Sequence, residues 1–128
     1  MVLNPKDLRA VTGRLGEACA IDYLVRHGYE IVAKNYRKPF GEIDIIAREQ
    51  GTLVFIEVKT RRSRRFGGPS EAVDLRKQRQ LSRIAQDYLA QHRLGDSAAR
   101  FDVVGVILDA GNRPVEVELI RDAFEYVG

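Results

Sequence analysis

Apolar residues along this chain recur with two different periods, and the switches between them mark out the elements. Leu15, Ala18, Cys19, Ile21 and Val25 fall at mixed three- and four-residue spacings. They predict a helix from Thr12 or Gly13 to His27, with Gly28 just beyond its end. Met1–Val11 has no clear period and reads as a lead-in. Tyr29–Tyr36 reads as a first strand, and Arg37-Lys38-Pro39-Phe40 as the connection to the next. Ile43–Ala47 and Leu53–Val58 are β-branched runs separated by Gln50-Gly51, the pattern of a β-hairpin. A loop from Arg61 to Pro69 follows, with Ser70 or Asp74 as the cap of a second helix reaching about Leu94. Leu81, Ile84, Ala85, Tyr88 and Leu89 form its buried stripe, with Lys77, Arg83 and Asp87 outward. Gly95–Ala98 breaks the chain before two more strands, Phe101–Leu108 and Val115–Ile120, joined through Asp109–Pro114. The order αβββαββ predicts one α/β domain over residues 1–128, with a mixed sheet of about five strands and helices packed on it. The long helical connection after the third strand permits a parallel neighbour.

The hairpin carries the candidate chemistry. Centred on Gln50-Gly51, it sets Asp44 opposite Glu57 and Glu42 opposite Lys59. Directly opposed residues project from the same face. The other face would carry Ile43, Ile45, Ala47, Val54, Ile56 and Val58, while Ile46, Leu53 and Phe55 share the charged one. Two opposed carboxylates repel, so a partly buried pair needs a proton or a cation. Lys59 supplies one charge; a divalent ion with oxygen ligands is the other solution. Cross-strand ion pairs on a surface hairpin are the alternative. Glu17 sits three, four and seven residues before Ala20, Ile21 and Leu24, extending an inward stripe, although a carboxylate there also suits the helix dipole. Gln78 falls on the inward stripe of the second helix and needs a partner, the site or a backbone carbonyl.

Charge and composition narrow the classes. A chain of 128 residues suits one domain, no run approaches a membrane span, and Met1–Arg9 lacks the apolar core of a signal peptide. One cysteine excludes an internal disulfide and a cysteine-rich zinc site, so a cytoplasmic setting is the simplest. The net charge is only +3, but Lys59, Arg61, Arg62, Arg64 and Arg65 fall together directly after Glu57. Such a cluster reads either as a solvated surface run or as a site for a polyanion, with Arg37 as a further phosphate contact.

Asp44 followed by Glu57-Val58-Lys59 resembles the core of the PD-(D/E)-x-K nucleases, the restriction-endonuclease-like fold. NYR at 35–37, GEIDIIA at 41–47, LVFIEVKTR at 53–61 and FGGPSEAV at 66–73 resemble more closely the bacterial YraN-like family, related to archaeal Holliday-junction resolvases. The likeness runs from about Gly13 to Phe124. Two departures stand out: Ile43 replaces the superfamily's proline, and Pro39-Phe40 replace a tighter glycine-rich link. The resemblance implies a metal-dependent endonuclease acting on nucleic-acid phosphodiesters, DNA ahead of RNA, with branched DNA a candidate substrate and a homodimer a candidate assembly. It implies Mg²⁺ (or Mn²⁺) on Asp44, Glu57 and the Val58 carbonyl, with Lys59 beside the attacking water and Glu17 completing the shell. From their positions in this chain rather than from the resemblance, Gln78 and Glu42 (paired with Lys59) would support the site, and the arginines would hold phosphates. The alternative is a nucleic-acid-binding module that retains the fold without catalysis.

Overall fold

The computed structural model describes residues 4–62 and 73–128. Its elements are α1 (Pro5–Arg26), β1 (Glu30–Lys38), β2 (Gly41–Glu49), β3 (Thr52–Arg61), α2 (Leu75–Gln91), β4 (Ala99–Leu108) and β5 (Pro114–Phe124). The five strands form one sheet in chain order. All neighbours are antiparallel except β3 and β4, whose connection carries α2. The expected α/β architecture and element order are therefore present. No helix among the described residues is long and apolar enough to cross a membrane.

Each face of the sheet is covered by one helix. Against α1 pack Ile45, Ala47, Val54, Ile56, Val104, Val106 and Leu108, all buried. Against α2 pack Ile43, Ile46, Leu53, Phe55, Phe101 and Val103. The strands are buried on both faces, which explains their nearly continuous apolar runs.

Helix α1 begins well before Thr12. Asn4 caps it by accepting the Asp7 N–H at 2.9 Å, and Pro5 occupies the first turn, where a missing N–H costs nothing. Its sheet-facing stripe is Gly16, Ala20 and Leu24; Leu15 and Val25, expected inward, are exposed. Gly28 follows the helix at φ +89°, the left-handed conformation expected of it. Helix α2 is capped by Asp74, which accepts the Lys77 N–H at 2.9 Å, and ends at Gln91, short of Leu94. Ser70 lies outside the described residues.

Gln50 and Gly51 both adopt positive φ, +50° and +80°, the geometry of a tight hairpin turn. The β2–β3 register is the expected one from Glu49–Thr52 to Ile45–Ile56, and the ladder stops there. Beyond it β2 stays with β1, pairing Ile43 with Tyr36 and Glu42 with Arg37. The parting changes the faces. Ile43, expected beside Ile45, joins Ile46 against α2 instead. The break in alternation falls at Asp44 and at its neighbour on β1, Asn35, which takes φ +51°.

The turn end of the sheet holds a buried polar network. Asp102, fully buried, accepts from Arg100 Nε and the Asp122 N–H through Oδ1, and from the Tyr29 hydroxyl at 2.8 Å through Oδ2. Glu49 Oε1 pairs with Arg100 at 2.9 Å and Arg121 at 3.0 Å. Asp122 sits in a bulge at φ +52°, so the Asp102 carboxylate caps an N–H that the β4–β5 ladder leaves over.

Candidate metal and phosphate site

The site forms where β2 and β3 part. Asp44 is not a ladder partner of Glu57, but its carboxylate bridges the gap, Oδ2 accepting the Val58 N–H at 2.8 Å. The side chain thus supplies the acceptor that the β2 backbone no longer offers. Glu57, only 5 % exposed, lies hydrogen-bonded against Asp44. Burial, and then the adjacent Asp44, push the Glu57 carboxyl up to about 8, against the pull of Lys77 and Lys59. At neutral pH without a cation, Glu57 holds a proton. Lys77 Nζ stands 3.2 Å from Glu57 Oε2.

Glu17 approaches Asp44 from the α1 side. Burial, followed by Asp44, raises its carboxyl above the usual range, while a hydrogen bond from Asn35 works the other way. Its position depends on Gly16: a β-carbon there would overlap the Thr60 side chain, so only glycine lets α1 rest directly on β3 at this point. Gly41 is a second close approach. At φ +145°, its missing β-carbon leaves room for the Gln80 side chain, whose Nε2 donates to the Phe40 carbonyl at 2.9 Å. That contact docks the β1–β2 turn on α2 despite Pro39-Phe40 in the link. Glu17, Asp44 and Glu57 make a series across the sheet edge. Among the described residues, however, no three carboxylate, imidazole or thiol side chains converge closely enough to hold one ion.

A cleft of about 930 Å³ opens beside Asp44, lined by Arg9, Arg14, Glu17, Asp44, Lys59 and Arg61 among others. Val58 lines it too. Carboxylates at its floor and cations on its walls suit a phosphate held over a metal.

Other expected members of the site are placed differently. Glu42 pairs with Arg37 at 3.3 Å across β1 and not with Lys59, because β2 has left β3 by that point. Arg62 is pinned: it donates to the Asp109 carbonyl at 2.7 Å, Asn112 Oδ1 at 2.6 Å and Thr12 Oγ1 at 3.0 Å. It ties the end of β3 to α1 and the β4–β5 turn. Arg64 and Arg65 lie outside the described residues. Gln78 Nε2 donates to the Val73 carbonyl at 3.0 Å, the backbone option of the two expected. Lys77, expected outward, is the α2 residue that reaches the acidic pair. Its position in the first helical turn was the available signal, since a long side chain there can reach past the helix end. Arg9 was hidden by the late start assigned to α1, and Arg14, though inside the expected helix, was not singled out.

The comparisons agree with the sequence motifs. Residues 16–106 match the family model of the Uncharacterised protein family UPF0102. A UPF0102 protein of Syntrophus aciditrophicus is 52% identical over 114 residues, 89% of this chain and 88% of the relative. Another, from Caldicellulosiruptor bescii, is 49% identical over 113 residues, 88% of this chain and 95% of the relative. A third, from Trichlorobacter lovleyi, is 47% identical over 126 residues, 98% of each chain. With a family match over most of its length and close relatives of its own size, the chain belongs to the UPF0102 family, the YraN-like family its motifs resemble.

Proposed function

We propose that this protein is a metal-dependent nuclease of the PD-(D/E)-x-K type, acting on nucleic-acid phosphodiesters. The observation that carries the reading is the Asp44–Glu57 contact: two carboxyls packed together, one of them buried and pushed to about 8. Among the described residues one lysine contacts the acidic pair, and the pair's donors are oxygens only, which suits Mg²⁺ or Mn²⁺. Asp44, Glu57 and the Val58 carbonyl would hold the ion. When bound, it polarises the phosphate and acidifies a bound water. Lys59, lining the same cleft, orients that water and stabilises the charge developing on phosphate oxygens. Glu17 positions water from the α1 side. Arg9, Arg14 and Arg61 grip backbone phosphates without reading bases. Arg62 keeps the wall they stand on in place.

The test is cleavage of branched, single-stranded and duplex DNA, and of RNA, with Mg²⁺, Mn²⁺ or EDTA. Cleavage should need the metal and fall by about 10² or more in Asp44→Asn and Lys59→Ala. Binding without cleavage of any substrate would favour a binding module that retains the fold. Neither binding nor cleavage would remove both readings.

A further inference from the structure

We infer that Lys77 is a positioning residue, a resident counter-cation on Glu57 that a divalent ion must displace to occupy the acidic pair. The inference rests on the metal-site reading of Asp44 and Glu57 given above. Lys77 is fixed at its backbone, because its N–H donates to the capping carboxylate of Asp74 at 2.9 Å. Its ammonium is free to move on a flexible stem and stands 3.2 Å from Glu57 Oε2. The Lys77 side chain is 32% exposed and the Glu57 carboxylate 5%, so solvent reaches the cation more readily than the acid it covers. Lys77 also lines a second cavity, of about 310 Å³, with Lys59, Asp74 and Arg76. Neither Asp44 nor Glu57 is among the described residues that line it, so the Lys77 side chain borders space beyond the acidic pair. An ammonium and a dication cannot share one carboxylate oxygen without strong repulsion. Whenever Glu57 is ionised without metal, Lys77 is therefore the counter-charge in contact with it, and the metal must compete with Lys77 for that carboxylate.

Lysine also explains why this partner differs from the arginines of the Asp102 network. A guanidinium would grip the carboxylate through a rigid fork, whereas an ammonium is a point charge that can leave.

The experiment is calorimetric titration of Mg²⁺ alone into wild type, Lys77→Met, Lys77→Arg and Asp44→Asn at pH 9, where protons compete least for Glu57. Lys77→Met should bind Mg²⁺ more tightly than wild type, by on the order of tenfold. Lys77→Arg should bind no more tightly than wild type, and Asp44→Asn should not bind. A residue serving only the fold would not tighten binding when removed, and thermal unfolding of each variant checks that the fold is kept. Equal or weaker binding by Lys77→Met, with binding still lost in Asp44→Asn, overturns this inference and leaves the metal site standing. No Mg²⁺ binding by wild type or Lys77→Met overturns the metal site and the inference together.

Discussion

Two pairs of acids lie in the same sheet and meet opposite treatment. At the turn end, Asp102 and Glu49 are surrounded by donors: Arg100, Arg121, the Tyr29 hydroxyl and a backbone N–H. Arg100, by its hydrogen bond, holds Glu49 below the usual carboxylate range. Asp102 raises the Arg100 guanidinium, and burial followed by the Asp102 hydrogen bond pushes the Tyr29 hydroxyl up to about 12. Where β2 and β3 part, Asp44 and Glu57 are instead set against each other, with one lysine in contact and Glu57 pushed up to about 8. A sheet able to build the first arrangement is not short of ways to neutralise a buried acid. The second is under-compensated, which is the arrangement the proposed metal site calls for.

The comparison breaks most visibly if the compensated end is damaged. Arg100→Met should cost about 3–5 kcal/mol in denaturant unfolding, because it strands Asp102 in the core without its charge partner. A loss below about 1 kcal/mol would show that Asp102 finds another partner and that the two ends differ less than claimed.

The next effect is a pH dependence at the strained end. Glu57 has a folded value of about 8, above its ordinary 4.5. The native state therefore holds the extra proton between those values. The contribution of Glu57 to stability in chelator is fully present below about pH 4.5 and is lost as pH rises towards 8, by on the order of 2–4 kcal/mol. Glu57→Gln should flatten that slope and be the more stable protein at pH 8–9. Unfolding midpoints measured across pH 4.5–9 in EDTA check this, and parallel curves for the two proteins would refute it.

Smaller still is Asp44→Asn. The amide keeps an acceptor for the Val58 N–H and removes one charge from the pair. Without metal, stability should change by about 1 kcal/mol or less, in either direction; with Mg²⁺, the stabilisation expected of wild type should be absent. A loss of several kcal/mol in chelator would make Asp44 a structural acid like Asp102. Least visible in stability is the double change of Arg9 and Arg14 to Ala, expected to stay within about 1 kcal/mol. Its readout is salt dependence: the log–log slope of nucleic-acid binding should fall by about 0.9 per lost contact on duplex DNA, or about 0.7 on single strands. An unchanged slope would place the nucleic acid elsewhere.

The order of elements, the hairpin centre and the register around it were legible in sequence. So were the α2 stripe through Leu81, Ile84, Ala85 and Tyr88, and the parallel crossover. These rest on local periodicity and turn chemistry, which act over a few residues. The start of α1 was missed because its outward face is itself apolar, with Leu8, Leu15 and Val25 exposed, so the period blurs. Asn4-Pro5, a cap with proline at the first turn, was the clue.

What the sequence by itself determined is the set of chemical groups and their spacing on two strands: Asp44 before the turn, Glu57 and Lys59 after it. What only the tertiary structure decided is which of them meet. The parting of β2 from β3 turned Ile43 towards α2 and Glu42 towards Arg37, and made Asp44 span the gap. Packing of α1 through Gly16 brought Glu17 to Asp44, and the cap at Asp74 aimed Lys77 at Glu57. Local propensity fixes conformation along the chain, but a strand leaves its neighbour only where packing from both faces makes leaving cheaper than pairing. That balance is struck by residues far apart in sequence, and no short window contains it.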